Sequence, residues 1–272
     1  MSILEVNKET CNKCGNCAAV CPGGFILFFE DKYPRPVSKV DDFCIRCGHC
    51  VAACPTGSLT HQDIPVEQCP AIEDSLKVSI EQCAQLIKSR RSIRRYADKP
   101  VPREVITRLI DIARYAPTGH NDQNVRWLVV DDKDKLRWFE AIGHDWMRDE
   151  ISKNPQMAAM FEGVLKRMEA GHPDFIRNAP ALVIAHAEKT MLMHSVDCSI
   201  ALGYFDLAAN AAGLGCCWAG FFMIAANTFP ALKEAVALPE DQLVYGALMV
   251  GYPKYKYRRI PVRRPPRITW LT

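Results

Sequence analysis

The sequence predicts an α+β fold in two parts, and three observations carry that reading. Cysteines crowd into two tight runs within the first 54 residues. Beyond residue 78 the composition changes to apolar residues at helical spacing. Short apolar runs then alternate with helical stretches without a regular βαβ repeat. At 272 residues and 49% apolar, the chain can bury a sizeable core in one or two domains. The expected division is a cysteine-rich domain over 1–60, a linker over 61–78 with Pro65 and Pro70, and a second domain over 79–272.

In the first part the runs are Cys11-x2-Cys14-x2-Cys17-x3-Cys21-Pro22 and Cys44-x2-Cys47-x2-Cys50-x3-Cys54-Pro55, an internal repeat. Three closely spaced thiolates reach three irons of one cube while the chain wraps round it. The fourth follows a turn, and the proline directs the chain away. Zinc knuckles would also use eight cysteines, but they pair two Cys-x2-Cys hooks rather than triplets with a fourth cysteine before proline. The pattern resembles the bacterial two-cluster ferredoxins, for which this spacing is a general signature. That resemblance implies two 4Fe–4S clusters with crossed ligation. Cys11, Cys14, Cys17 and Cys54 hold one, and Cys44, Cys47, Cys50 and Cys21 the other. Cys69, Cys83, Cys198, Cys216 and Cys217 lack ligand spacing and are expected to be buried, inert thiols. Clustered thiols in a chain too large to need staples argue for a reducing, cytoplasmic compartment.

The second part opens on Ser79-Ile80-Glu81-Gln82, a capping box that starts a helix carrying Ile80, Cys83, Ala84 and Ile87. Pro102 suits the first turn of a second helix, with Val105, Leu109 and Ile112 along one stripe. Strands are expected at Trp127–Val130, Ala181–Ala187, Cys216–Phe222 and Val244–Val250. Ser195–Ala212 reads as a helix apolar nearly all round, ended by Gly213 or Gly215. Residues 133–176 read as helical and hold Trp138, Phe139, Trp146, Met147, Met157, Met160, Phe161 and Met168. They form either an amphipathic pair packed on the core or a lid over a substrate pocket.

Arg90-Arg91-Ser92-Ile93-Arg94 joins the first two helices. Guanidinium forks and a hydroxyl are the groups a phosphate dianion requires. Ala116-Pro117-Thr118-Gly119-His120-Asn121-Asp122-Gln123 follows the second helix. With Gly213-Leu214-Gly215 before a strand and Gly251-Tyr252-Pro253 near the end, this ordered set resembles the nitroreductase family over about residues 80–265. The resemblance implies a ferredoxin–nitroreductase fusion, a nitroreductase-like α+β sandwich, non-covalent FMN and a homodimer with each flavin at the subunit interface. It places Arg90, Arg91 and Ser92 at the phosphate and ribityl chain, and Arg94 at the pyrimidine edge. Thr118, Gly119 and Asn121 border the partner's flavin, Ala219 and Gly220 offer a backbone amide to N5, and Arg263 and Arg264 reach the phosphate. Two positions depart from the family pattern. Asn124 and Val125 follow Gln123 where Pro-Trp is frequent, and Ala219 replaces a frequent acidic residue.

The expected activity is therefore an FMN-dependent oxidoreductase without a side-chain nucleophile. A low-potential donor reduces the clusters, and electrons pass through FMN to a nitroaromatic, quinone or activated alkene. The alternatives are an electron carrier serving a protein partner, or another flavin reaction on the same fold. A net charge of +3 gives no global argument for nucleic acid, and the Arg- and Pro-rich arm over 254–272 brings no aromatic platform. The first residues lack the pattern of a signal peptide, and no apolar run reaches membrane-spanning length.

Overall fold

The computed structural model describes residues 2–29, 32–172 and 175–271, with the side chains of 155, 157, 159 and 160 (Met157 and Met160 among them) outside that description. The chain divides into two compact units, residues 1–77 with 120–122, and residues 78–119 with 123–272. The segment expected as a linker, 61–78, thus groups almost wholly with the first unit.

The first unit is built on the repeat. Strand β1 (Leu4–Val6) pairs antiparallel with β4 (Leu59–His61), and β2 (Ile26–Leu27) with β3 (Arg35–Pro36). Helix α1 (Asn16–Ala19) follows the first cysteine triplet's entry, α2 (Val40–Phe43) precedes the second run, and α3 (His49–Ala52) lies within it. Both runs adopt the same backbone. Lys13 and Arg46 have φ of 58° and 52°, Gly15 and Gly48 76° and 72°, and Gly24 and Gly57 64° and 62°. Glycine serves the left-handed positions at least cost. The apolar core is small: Ile3, Leu4, Ile26, Val40, Val51 and Leu59, with the ligand candidates Cys17 and Cys50 buried among them. A core this thin is completed by what its thiolates bind.

In the second unit, α4 (Ile80–Ser89) begins with the expected capping box: Ser79 accepts from Gln82 N and the Gln82 side chain from Ser79 N. Pro102 caps α5 (Arg103–Ala113) from just outside the helix rather than within its first turn. Four strands form an antiparallel sheet in the order β5 (Arg126–Val130), β6 (Ala181–Glu188), β8 (Gln242–Gly251), β7 (Gly215–Trp218). Alternate residues of β6 feed two cores. Leu182 and Ile184 meet α6 (Lys133–Lys153), α7 (Pro155–Glu169), α9 (Gly220–Thr228) and α10 (Pro230–Val236), while Val183 and Ala185 meet α5 and α8 (Met193–Ala211). Helices on both faces explain why β6 is apolar at nearly every position.

Two further expectations are corrected. The strand expected over Cys216–Phe222 ends at Trp218, and α9 begins at Gly220. Ala219, at φ −93° and ψ 62°, turns the chain, and Phe222, Ala225 and Ala226 then bury one helical face. Of the five remaining thiols, Cys198, Cys216 and Cys217 are buried, but Cys69 is exposed and Cys83 half-buried. The helices expected over residues 133–176 are α6 and α7. Phe139, Trp146, Met147 and Phe161 are at most 2% exposed in the same cluster as Phe222.

Candidate functional site

Cys11, Cys14, Cys17 and Cys54 line one cradle, closed by Val6, Pro34 and Leu59. Burial raises the Cys17 thiol, and the nearby Cys54 and Cys14 charges raise it further against the Ala18 N–H. Burial pushes Cys50 up to about 11, with Cys21, Cys47 and Cys44 as its charged neighbours. Each set thus contains one run's triplet and the other run's fourth cysteine. Among the described residues no three Cys, His, Asp or Glu converge at the spacing of a single metal ion. Two sets of four thiols match the four ligands that each of two cubes requires. Backbone amides already point at the sulfurs: Phe25 N lies 3.3 Å from Cys21 Sγ and Ser58 N 3.2 Å from Cys54 Sγ. Buried His61, absent from the sequence reading, has Nε2 3.9 Å from Cys44 Sγ and accepts from Asp63 N at Nδ1.

In the second unit the basic segment is fastened across the start of β7. Ile93 N donates to Cys216 O at 2.8 Å, and the Tyr96 hydroxyl donates to Ile93 O at 2.7 Å and Met249 O at 3.2 Å. Gly215 permits this approach, because a Cβ there would lie 2.2 Å from Ile93 Cγ1. On the α8 side Arg90 pairs with Asp206 at 3.3 Å. On the other side, burial raises the Cys217 thiol while the Arg94 and Arg177 charges pull it down. Arg177 escaped the sequence reading. It and Asn178 hold left-handed φ of 61° and 53°, backbone seldom adopted without a local reason. Ser92 is half-buried within this segment and Arg91 partly exposed.

The second expected loop is also anchored. Gly119 N donates to Asp197 Oδ1 at 3.1 Å, and Gln123 N to Thr118 Oγ1 at 3.0 Å. His120, Asn121 and Gln123 have φ of 54°, 56° and 49°. Within the first unit, Asn121 Nδ2 donates to the carbonyls of Ile45 and Arg46 at 3.1 and 3.0 Å. Asp197 Oδ2 and both polar side-chain atoms of Asn124 are buried without a hydrogen-bond partner from the protein. Thr118, Gln123, Val125 and Trp127 line a cavity of about 270 Å³ with Ala201.

Of the two backbone candidates, Ala219 N donates to Ala247 O at 2.8 Å, so its amide is spent. Gly220 opens α9, and a first-turn N–H has no partner inside its own helix. Gly220 is therefore the amide open to a ligand. Arg263 and Arg264 lie on the exposed arm, and neither is among the charges acting on Cys216, Cys217 or Asp206.

This arrangement agrees with the comparison to known proteins, in which the nitroreductase family profile matches residues 87–252. The chain belongs to the nitroreductase family. A 4Fe–4S dicluster domain matches residues 10–58, so this nitroreductase carries a two-cluster domain at its N-terminal side. A relative from Archaeoglobus fulgidus named NADH dehydrogenase/NAD(P)H nitroreductase is 27% identical over 64% of this chain and 87% of its own. An FMN reductase (NAD(P)H) from Bacillus subtilis is 29% identical over 65% of this chain and 69% of its own. The fold matches a Bacteroides fragilis nitroreductase structure with bound FMN, at a TM-score of 0.57 and 23% identity, covering 69% of this chain and 97% of that one. Family and fold make this nitroreductase an α+β oxidoreductase of the FMN-dependent class. Among its described residues no helix is long and apolar enough to cross a membrane.

Proposed function

We propose that the chain binds FMN and two 4Fe–4S clusters and reduces an electron-poor small molecule with electrons received through the clusters. The observation that carries this reading is the joining, in one chain, of two four-cysteine sets to an arginine segment anchored at the start of β7. FMN supplies exchange between one-electron and two-electron chemistry, which is what links a cluster to an organic substrate.

The chain's own groups supply binding and electrostatics. Arg90, Arg91 and Ser92 present donors to the FMN phosphate and ribityl hydroxyls. Arg94 stands where positive charge favours an electron-rich ring, and Arg177 adds a second charge beside Cys217. The Gly220 amide donates to the ring edge. Arg263 and Arg264 join the phosphate when the arm closes over it. Thr118, Gly119 and Asn121 belong to a loop that borders the flavin of a second subunit. Helix α4 buries none of its residues, and α8 leaves Val196 and Tyr204 each 43% exposed. These apolar faces suit the family's homodimer. The substrate classes are nitroaromatics, quinones and activated alkenes, and the electron source is an external low-potential donor.

The test is anaerobic. Holoprotein is reduced with a limiting low-potential donor and mixed with a nitroaromatic, while flavin and Fe–S absorbance are followed. Reoxidation of both chromophores with consumption of the nitro compound supports the proposal. A flavin that stays reduced refutes nitroreduction, and no flavin after reconstitution with FMN refutes the binding reading.

A further inference from the structure

Helix α8 is apolar almost throughout, yet it carries Asp206 and Asn210 one turn apart, and both face the end of α4. Asn210 Nδ2 donates to Leu86 O at 3.2 Å, in the last turn of α4. Asp206 Oδ2 receives the Arg90 guanidinium at 3.3 Å, with the two side chains 19% and 26% exposed. The buried Cys216 thiol is also within hydrogen-bonding reach of Asp206. Thus α8 grips both the last turn of α4 and the first residue of the basic segment.

A half-buried carboxylate on an apolar helix is costly unless paired. Its partner here is a guanidinium, which offers five N–H groups in a planar fork. The single contact to Asp206 is made by Nη1, which leaves the other guanidinium nitrogens for a ligand. Fixing that plane beforehand removes much of the rotamer entropy that a free arginine loses on gripping a phosphate.

We propose that Asp206 is a positioning residue that aligns Arg90 for a phosphate, and so makes the site select phosphorylated flavin over the unphosphorylated form. This rests on the reading of Arg90 as a phosphate ligand. Asp206 acts on the ligand through Arg90, so its effect on binding vanishes when the ligand has no phosphate.

The experiment compares FMN with riboflavin on the full-length, cluster-loaded protein stripped of flavin, by flavin fluorescence titration. Asp206→Ala is expected to weaken FMN about tenfold, the scale of one charge-assisted hydrogen bond, and to leave riboflavin affinity unchanged. Asp206→Asn keeps the volume and shows the same selective loss at smaller size. In an Arg90→Ala background, Asp206→Ala adds nothing. Equal weakening of both flavins would overturn the proposal, since a merely structural role moves both alike. An Asp206→Ala protein that binds FMN normally, while Arg90→Ala discriminates the two flavins, would also overturn it. If Arg90→Ala itself fails to discriminate them, the phosphate reading of Arg90 falls first, and the role of Asp206 falls with it.

Discussion

Replacing Gly215 by alanine tests the anchoring of the basic segment most directly. The new Cβ would lie 2.2 Å from Ile93 Cγ1 and 2.7 Å from Ile93 Cβ. Carbon atoms settle at about 3.6 Å, so the two chains must part by about 1.4 Å. Ile93 is only 6% exposed and cannot swing into solvent. Its backbone therefore lifts from β7, and the 2.8 Å bond from Ile93 N to Cys216 O breaks. Overpacking costs about 1–3 kcal/mol and the lost bond about 1 kcal/mol, together about 2–4 kcal/mol. Urea unfolding measures the loss, and FMN titration measures the displacement of Arg90 and Arg94. The comparison is Gly213→Ala, where no atom lies within 4 Å of the new Cβ and only the φ of 76° is strained. That change costs about 1 kcal/mol and leaves FMN affinity intact. A Gly215→Ala protein within about 0.5 kcal/mol of the parent, with normal FMN binding, would refute the reasoning.

Crossed ligation predicts that Cys54→Ser damages the cluster of Cys11, Cys14 and Cys17, whereas Cys21→Ser damages the other. By EPR of the reduced variants, Cys54→Ser should lose the same signal as Cys11→Ser and Cys21→Ser the same signal as Cys44→Ser, and the reverse matching would exclude the crossing. Phe222→Ala empties a fully buried position packed on Phe139 and Phe175 and should cost about 3–5 kcal/mol in urea unfolding. His186 is buried, with Nδ1 2.5 Å from Gln242 Oε1, and burial lowers its pKa below 6.5. Its folded form favours the neutral ring, so its contribution is present above pH 6.5 and declines as pH falls toward the lowered value. His186→Asn should flatten that part of the stability–pH curve, and an unchanged slope would contradict it.

What the sequence made legible was local. Ligand spacing is set by a few consecutive residues, so both cysteine runs could be read as they stand. The pairing of Cys54 with the first triplet came only from family resemblance, because a crossing is a tertiary fact. Strands β5, β6 and β8 were visible as short β-branched and apolar runs. The β7–α9 boundary was not, since Cys216–Ala226 is apolar at nearly every position and periodicity cannot separate a buried strand from a buried helix there. Asp197, Asp206 and Arg177 were missed for another reason. Each acquires its role from a distant partner. The one available signal was polarity itself: Asp197, Asp206 and Asn210 interrupt a helix that packing alone would have kept apolar.

Those interruptions have a common logic. A helix selected only to fill a core gains nothing from a carboxylate, whose desolvation is offset only by a suitable partner. Asp197 and Asp206 are nine residues apart on α8, about 13 Å along a rigid helix. The first holds the amide of Gly119 at 3.1 Å, and the second the guanidinium of Arg90 at 3.3 Å. Both partners belong to segments proposed to meet flavin, and the segments are 29 positions apart in the chain. The basic segment has no helix or strand over Arg90–Arg94, and the other has only a single 3-10 turn at Gly119–Asn121, so α8 serves as the ruler for both. A change that shifts α8 along its axis would move the two segments together, whereas loss of either carboxylate would release one and leave the other in place.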